Sequence, residues 1–327
     1  MASANASLPT SVDSSIEQNR HRGIEKPFFV INARAGNCQI EKRIDSVKQT
    51  MEAAGVSYGM FVRRKQGDSR KQAALAAIDE GYTTVVAVGG DGTVSKVARA
   101  LAGSEVRLGI IPCGTANLLA RSIGVPLDPH EATAFLLDGL TGGQLAGVRR
   151  LDAMQVEDKL YFSHISMGTY SRITGLEKSS HKKRFGRGAY LWQLAKELRR
   201  EPAWRFRLER DGRSEVVRAS VVVLANIGAL GLPGISWGEH IASDDGQLDV
   251  CIVRAQRWWQ YPRLIWDAVC GRQRESSLWE YRVVRRDVEL IGTPDLPVRC
   301  DGKIKGRGKV HVRVVPGALQ VVAPPGE

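Results

Sequence analysis

The residues Gly89-Gly90-Asp91-Gly92-Thr93 are the sharpest chemical feature of the chain. Three glycines around one acid let the main chain turn tightly and bring N–H groups up to an anion. A helix that follows such a loop points its positive end into the same space. There Asp91 is a lone carboxylate beside bound phosphates, suited to holding Mg²⁺ or its waters or to accepting a proton from an incoming hydroxyl. Thr93 can donate to a phosphate oxygen. The same five residues also make a plain βα turn with a helix cap at Asp91 or Thr93. A second group, Gly114-Thr115-Ala116-Asn117, repeats the logic with a small residue, a hydroxyl and an amide at a helix start. Taken alone it reads equally well as a cap box. Asn32 and Arg34 complete the set, with Arg34 placed either to clamp a phosphate in bidentate fashion or to stand solvated on its loop.

These groups sit where alternating elements put them on one edge. Apolar runs at Phe28–Asn32, Met60–Arg63, Thr83–Val88 and Arg107–Ile111 read as strands. Helical spacing covers Glu41–Ala54, Ser69–Glu80, Val94–Ala102, Ala116–Ser122 and Glu131–Asp138, and a glycine follows most of them. The βαβα order predicts a doubly wound, Rossmann-like parallel sheet with helices on both faces. Such sheets bind ligands at the C-terminal ends of their strands, where all three loops lie. Near residue 145 the pattern changes to short β-type runs, with Asp211-Gly212 and Asp301-Gly302 as hairpin turns. Two helices interrupt them, at Gly188–Arg200 and Trp258–Cys270. The expected organisation is a polar, disordered lead-in at 1–24, an α/β domain at 25–148 and a β-domain at 149–327.

Ordinary globular composition excludes a fibrous or wholly disordered chain. Lys and Arg number 47 against 35 Asp and Glu, so the net charge is +12. Most of it lies in residues 151–327, with 29 basic and 21 acidic side chains (+8), which suits a polyanionic partner as well as a merely basic surface. Cys38, Cys113, Cys251, Cys270 and Cys300 are widely spaced and form no CxxC, which predicts reduced thiols in a cytoplasmic protein. The N-terminus lacks the apolar core of a signal peptide. Residues 219–238 carry no charge, but Asn226, Pro233 and four glycines make them a buried strand with a Gly-rich loop rather than a membrane span.

Together these motifs resemble the diacylglycerol kinase catalytic-domain family, in its bacterial soluble branch, related to sphingosine and ceramide kinases. Val85–Thr93 (VVAVGGDGT) is similar to that family's nucleotide loop, and Ile110–Pro126 (IIPCGTANLLARSIGVP) to its second motif. Asp244–Val250 (DDGQLDV) and Phe185–Lys196 resemble segments of its second domain. The resemblance implies ATP in a cleft between the α/β domain and a C-terminal antiparallel β-sandwich, with the γ-phosphate passing to a lipid hydroxyl. It carries nucleotide contacts onto Asn32, Gly90, Asp91, Gly92, Thr93, Gly114, Thr115 and Asn117, beside Gly89 and Arg34 of the loops themselves, and a divalent-ion role near Asp245.

Three places depart from the family. Asn32-Ala33-Arg34-Ala35-Gly36 stands for Asn-Pro-x-Ser/Ala-Gly, Ser95-Lys96 for Asn-Glu, and Asp301-Gly302-Lys303 for a DGE whose glutamate is the family's general base. A lysine ammonium has no lone pair to accept a proton. Either Asp91 or Asp301 is then the catalytic base, or the substrate chemistry differs, or the chain is a weak or inactive kinase that binds nucleotide and lipid. A soluble-metabolite kinase of the NAD-kinase kind shares GGDGT but has no need of Arg257–Arg263 (RWWQYPR), which mixes cations with interfacial aromatics as a surface resting on an anionic membrane does. The other reading of those tryptophans is core packing of their helix. His181–Arg184 with Arg187 is a second basic cluster suited to anionic lipid or to solvent. Nucleic acid accounts for the charge but not for three loops on one sheet edge, and no such partner is expected. Oligomeric state is not legible.

Overall fold

The structure, a computed structural model, describes residues 26–33, 40–65, 68–171, 203–232 and 235–325. The expected helix at 188–200 and the 181–187 basic cluster lie outside them.

Strands β1 (Pro27–Asn32), β2 (Gly59–Arg63), β3 (Thr84–Gly89) and β4 (Arg107–Pro112) pair in parallel in the order β2-β1-β3-β4. Their side chains alternate between two cores, as period-2 geometry demands. Phe29, Ile31, Val86, Val88 and Ile111 meet α1 (Ile40–Ala53) and α5 (Pro129–Leu140) through Ile44, Val47, Met51, Leu136 and Leu140. Val30, Val85, Ala87, Leu108 and Ile110 meet α2 (Arg70–Asp79) and α3 (Asp91–Leu101) through Ala74, Ala77, Val94, Val97 and Leu101. Burial on both faces explains why these strands read as continuous apolar runs. Helix α3 starts at Asp91 rather than at Val94, because the Gly loop is already its first turn. Helix α5 starts at Pro129, capped by the Asp128 carboxylate, which accepts from the N–H groups of His130 and Glu131.

The rest of the chain is antiparallel. One sheet runs β14 (Trp279–Val284), β13 (Leu248–Val253), β10 (Val221–Ala225), β7 (His164–Gly168), β16 (Pro297–Cys300) and β17 (Lys303–Arg307). Its inner face packs through Ile165, Met167, Val222, Leu224, Val250 and Ile252 against Phe206, Leu208, Val288, Leu290, Val310 and Val312. Those partners lie on β8 (Trp204–Arg210), β15 (Asp287–Ile291) and β18 (Lys309–Ala323). The expected turns close as hairpins, β8 onto β9 (Arg213–Ala219) and β16 onto β17. Asp211 and Gly212 have φ of 46° and 80°, and Asp301 and Gly302 have 45° and 71°. Positive φ at both central residues matches the twist of the strands they join. The uncharged stretch forms β10 and then a small ribbon of β11 (Ala229–Leu232) and β12 (Ile235–Ser236), as expected. No helix among the described residues is long and apolar enough to cross a membrane.

The parallel strands continue into the antiparallel ones. The order is β2-β1-β3-β4-β18-β15-β8-β9, with β5 (Gly147–Val156) on β18 and β6 (Lys159–Tyr161) on β5. Strand β18 meets β4 in parallel at Val321 and Leu108. The boundary expected at 148/149 falls within β5. Leu319, Val321 and Ala323, at the end of β18, are buried in the same core as Val85 and Val97.

Candidate active site

The strand order reverses between β1 and β3, and the crevice above that point receives three loop ends. Asn32 closes β1, Gly89 closes β3, and Cys113–Asn117 follows β4. The last two loops touch backbone to backbone. A Cβ on Gly114 would lie 2.6 Å from Gly90 Cα and 2.7 Å from Asn117 Oδ1. A side chain there forces main chain against main chain, and overpacking of this kind costs about 2 kcal/mol. Gly114→Ala is expected to lower stability by about that amount and to weaken nucleotide binding, read by thermal unfolding and equilibrium titration; an unchanged melting temperature would refute the contact.

Asp91 is the hinge between the loops. Its Oδ1 accepts from the Leu118 N–H at 2.6 Å and its Oδ2 from the Asn117 N–H at 3.1 Å. It therefore caps α4 (Leu118–Ser122), not its own helix, whose N-cap is Gly90. Asn117 stands in left-handed backbone at φ 48°. Its side chain folds back to accept from the Gly114 N–H at 2.9 Å and to donate to the Gly114 carbonyl at 3.0 Å. The alternative reading of a simple cap box thus gives way to a closed loop whose helix is capped from outside. Gly92 and Asp91 line the cleft, whereas Thr115 is exposed and not among its lining residues.

Cations gather beneath these loops. Thr93 is buried, and its hydroxyl accepts from Arg70 Nη1 at 2.9 Å. Arg70 is itself buried, with Nε unpartnered. Burial and the neighbouring Arg63 hold its guanidinium pKa below the ordinary value. Arg63 donates to Asn32 Oδ1 at 3.2 Å. Lys96, one turn along α3, has its pKa lowered by burial and then by the crowding of Arg70, Lys303, Arg63 and Arg99. Like charges drawn together in this way are suited to an anion. Arg63 and Arg70 went unseen in the sequence, because no local pattern distinguishes them from surface arginines.

The opposite wall comes from the β16–β17 turn. Asp301 Oδ1 accepts from the Ser163 N–H and hydroxyl at 3.2 and 2.6 Å. Its Oδ2 accepts from the Ser95 hydroxyl and from Arg99 Nη2, each at 2.9 Å. Ser95 and Arg99 are one helical turn apart on α3, so one carboxylate ties α3 to β7 and to its own hairpin. Lys303, in place of the glutamate, also lines the cleft, with Lys96, Arg99 and Lys305. Behind Asp301, His164 is buried with Nδ1 unpartnered. Burial pushes its pKa down against the opposing pull of Asp301 and Asp91, which leaves a neutral imidazole.

Arg34 lies outside the described residues. Asp245 is not among the residues that line the cleft. It sits in the turn before β13, where its Oδ1 accepts from the Gln247 N–H at 3.0 Å. Among the described residues, no three His, Cys, Asp or Glu side chains are grouped so as to hold a metal ion. Near that turn, burial and then the Asp245 charge push Asp249 up to about 6. The folded state thus holds the Asp249 proton more tightly than the unfolded chain does. Its stabilising contribution is full below pH ~4 and is lost as the pH rises through about 6. Asp249→Asn is expected to raise the melting temperature at pH 7.5, by at most about 2–3 kcal/mol of stability, and to leave it unchanged near pH 4. A gain at both pH values would contradict the assignment.

Residues 26–144 match the family model of the diacylglycerol kinase catalytic domain. Residues 163–323 match the YegS C-terminal NAD kinase beta sandwich-like domain. A Pseudomonas aeruginosa protein named "Probable lipid kinase YegS-like" is 32% identical over 330 residues, covering 92% of this chain and 95% of its own. The chain belongs to the diacylglycerol kinase catalytic-domain family. A Mycobacterium tuberculosis protein named "Diacylglycerol kinase" is 27% identical, covering 94% of this chain and 98% of its own. The crystal structure of a diacylglycerol kinase from Bacillus anthracis superposes with a TM-score of 0.72 at 20% identity, over 92% of this chain and 98% of that one, which shows a common fold. The resemblance read from the two glycine motifs therefore holds, as does the α/β plus β-sandwich architecture. Within this family of lipid kinases, the crevice between Asp91 and Asp301 is the candidate active site.

Proposed function

We propose that the protein is an ATP-dependent lipid kinase whose general base is Asp91. One observation carries the choice of base. Asp91 faces the cleft with one hydrogen bond on each oxygen, so each keeps a lone pair free, whereas four donors occupy Asp301. The triphosphate rests against the Gly90 and Gly114 loops, with Arg70 and Thr93 beneath. The acceptor hydroxyl enters from the Asp301 side. Its oxygen bonds to the γ-phosphorus, the bond from that phosphorus to the β–γ bridging oxygen breaks, ADP leaves with the electron pair, and Asp91 takes the hydroxyl proton. Asp301 orients Ser95, Arg99 and Ser163. A single carboxylate beside phosphates suits a Mg²⁺ carried largely by the nucleotide, with Asp91 as its protein ligand or the acceptor for its waters. When bound, the ion offsets charge on the transferred group. Transfer of labelled γ-phosphate from MgATP to a panel of hydroxyl-bearing lipids in mixed micelles tests the reading. Labelling of one lipid, lost in Asp91→Ala, is expected. A silent wild type with an active Lys303→Glu would mean a binding protein whose base has been lost.

A surface on the second sheet brings the enzyme to its substrate. After a 3₁₀ turn at Trp258–Gln260, α6 (Tyr261–Val269) packs Leu264 and Ala268 into the core with Trp237 and Trp279. Trp258, Trp259 and Trp266 face outward, 49, 54 and 64% exposed, beside exposed Ile265 and Val269. None of the three packs into the core, and with Arg257 and Arg263 nearby they suit a peripheral site on an anionic bilayer. Trp258→Ser with Trp266→Ser is expected to weaken partitioning onto phosphatidylserine-containing vesicles at least tenfold in a sedimentation assay, with little change in melting temperature. Undiminished partitioning would remove this surface from the reading.

A further inference from the structure

The cleft carries more positive charge than a neutral acceptor calls for. Lys96, Lys303, Lys305 and Arg99 line it against two carboxylates, Asp91 and Asp301. Neither carboxylate offsets the lysines: Asp301 is fully engaged and Asp91 is bound to main chain on both oxygens. Asp91 accepts from two main-chain N–H groups of the α4 start, and Asp301 from Arg99, Ser95 and Ser163. Arg99 is paired with Asp301 at 2.9 Å. Among the described residues, neither Lys96 nor Lys305 has a carboxylate within 4 Å of its ammonium. Lys96 and Lys303 stand 207 positions apart in sequence, yet the fold brings their charges within mutual influence. They occupy the two places where the family resemblance leads one to expect glutamates. The phosphate-facing side of the crevice already has its own cations in Arg63 and Arg70, which reach Asn32 and Thr93. The lysines of the β16–β17 hairpin extend from the opposite wall, where the acceptor enters.

We infer that the acceptor bears a phosphate ester next to the hydroxyl that is phosphorylated, and that Lys303 and Lys305, with Lys96, hold that phosphate. The inference rests on the kinase reading and narrows its substrate class. A lysine ammonium is a compact point charge that can follow a phosphate through a transfer reaction, whereas a glutamate in its place would repel the same group. The chemistry fits a phospholipid head group with free hydroxyls and equally a soluble polyol phosphate, and the two sources are separable.

Short-chain acceptors that remain monomeric in water keep vesicle attraction out of the comparison. Dihexanoylglycerol, dihexanoyl phosphatidylinositol and glycerophosphoinositol are each offered with labelled MgATP. The expected result is a kcat/KM for dihexanoyl phosphatidylinositol at least tenfold above that for dihexanoylglycerol. Lys303→Glu with Lys305→Glu should erase this ratio, and Lys303→Arg should keep most of it. Equal or better use of dihexanoylglycerol by the wild type overturns the inference while the kinase reading stands, because label has moved. Equal use of glycerophosphoinositol and the lipid upholds phosphate recognition and assigns it to the soluble source. Calorimetric titration of the same three compounds in the presence of ADP reads the site without transfer. Tenfold tighter binding of the phosphate-bearing compounds, lost in the double variant, supports the inference even where no acceptor is labelled and the kinase reading fails. Equal binding of all three overturns it.

Discussion

Asp91→Asn is expected to lower phosphate transfer by about 10³-fold while weakening nucleotide binding by less than tenfold. A positioned base contributes about 10²–10⁴ to proton-transfer rates, and the amide has no comparable basicity. The neutral side chain also loses the charge-assisted part of its bonds to the Leu118 and Asn117 N–H groups, and in either rotamer it turns an NH₂ toward one of them. The short helix α4 is then left with a poorly satisfied N-terminus, so some loss of stability accompanies the loss of rate. Single-turnover transfer and nucleotide titration on the same preparation separate the two effects. If turnover stayed within tenfold of wild type, Asp91 would not be the base. A parallel collapse of nucleotide affinity and rate would make it a loop clamp only.

Asp301→Ala is the change with the largest expected effect on stability. It leaves the Arg99 guanidinium, whose side chain is 22% exposed, without its ion-pair partner, and strips acceptors from Ser95 and Ser163. Breaking a largely buried pair by removing one partner costs about 3–5 kcal/mol. The backbone adds to this, because residue 301 sits at φ 45°, which aspartate and asparagine tolerate better than alanine. Asp301→Asn should therefore fall between wild type and alanine. Arg99→Met in the alanine background should recover part of the loss, since a buried charge without a partner is worse than an apolar chain of similar reach. Urea unfolding of wild type, the two Asp301 variants, Arg99→Met alone and the double variant measures this. Independent, additive effects of the two positions would contradict a direct Asp301–Arg99 pair. Transfer should fall with stability here, because the same carboxylate holds α3 against β7 across the cleft.

The glycine loops were legible because backbone geometry selects residue type directly. Gly90 and Gly114 must be small to let two main chains approach, and the apolar runs before them announce strands buried on both faces. The hairpin turns at 211–212 and 301–302 were legible for the same reason, since positive φ at two successive residues narrows the choice to Asp-Gly and its kin. The direction of the tryptophans was not. Helix α6 carries Leu264, Ile265, Trp266, Ala268 and Val269, apolar on more than one face, and only its seat on Trp237 and Trp279 settles which side meets water.

The sequence by itself determined the alternating α/β half, the β-rich half that follows, the two glycine loops and their place on one sheet edge. Each depends on contacts within a few residues, which spacing and residue type record. Only the tertiary structure decided that Asp91 caps a helix 26 residues away, that Asp301 binds Ser95 and Arg99 more than 200 residues back, and that Arg63 and Arg70 close beneath Asn32 and Thr93. It also decided that one sheet runs from the parallel strands through β18 into the sandwich. These meetings depend on how strands order themselves across the chain. An arginine, a serine or a lysine carries no mark of a partner that the closing of the sheets will bring to it.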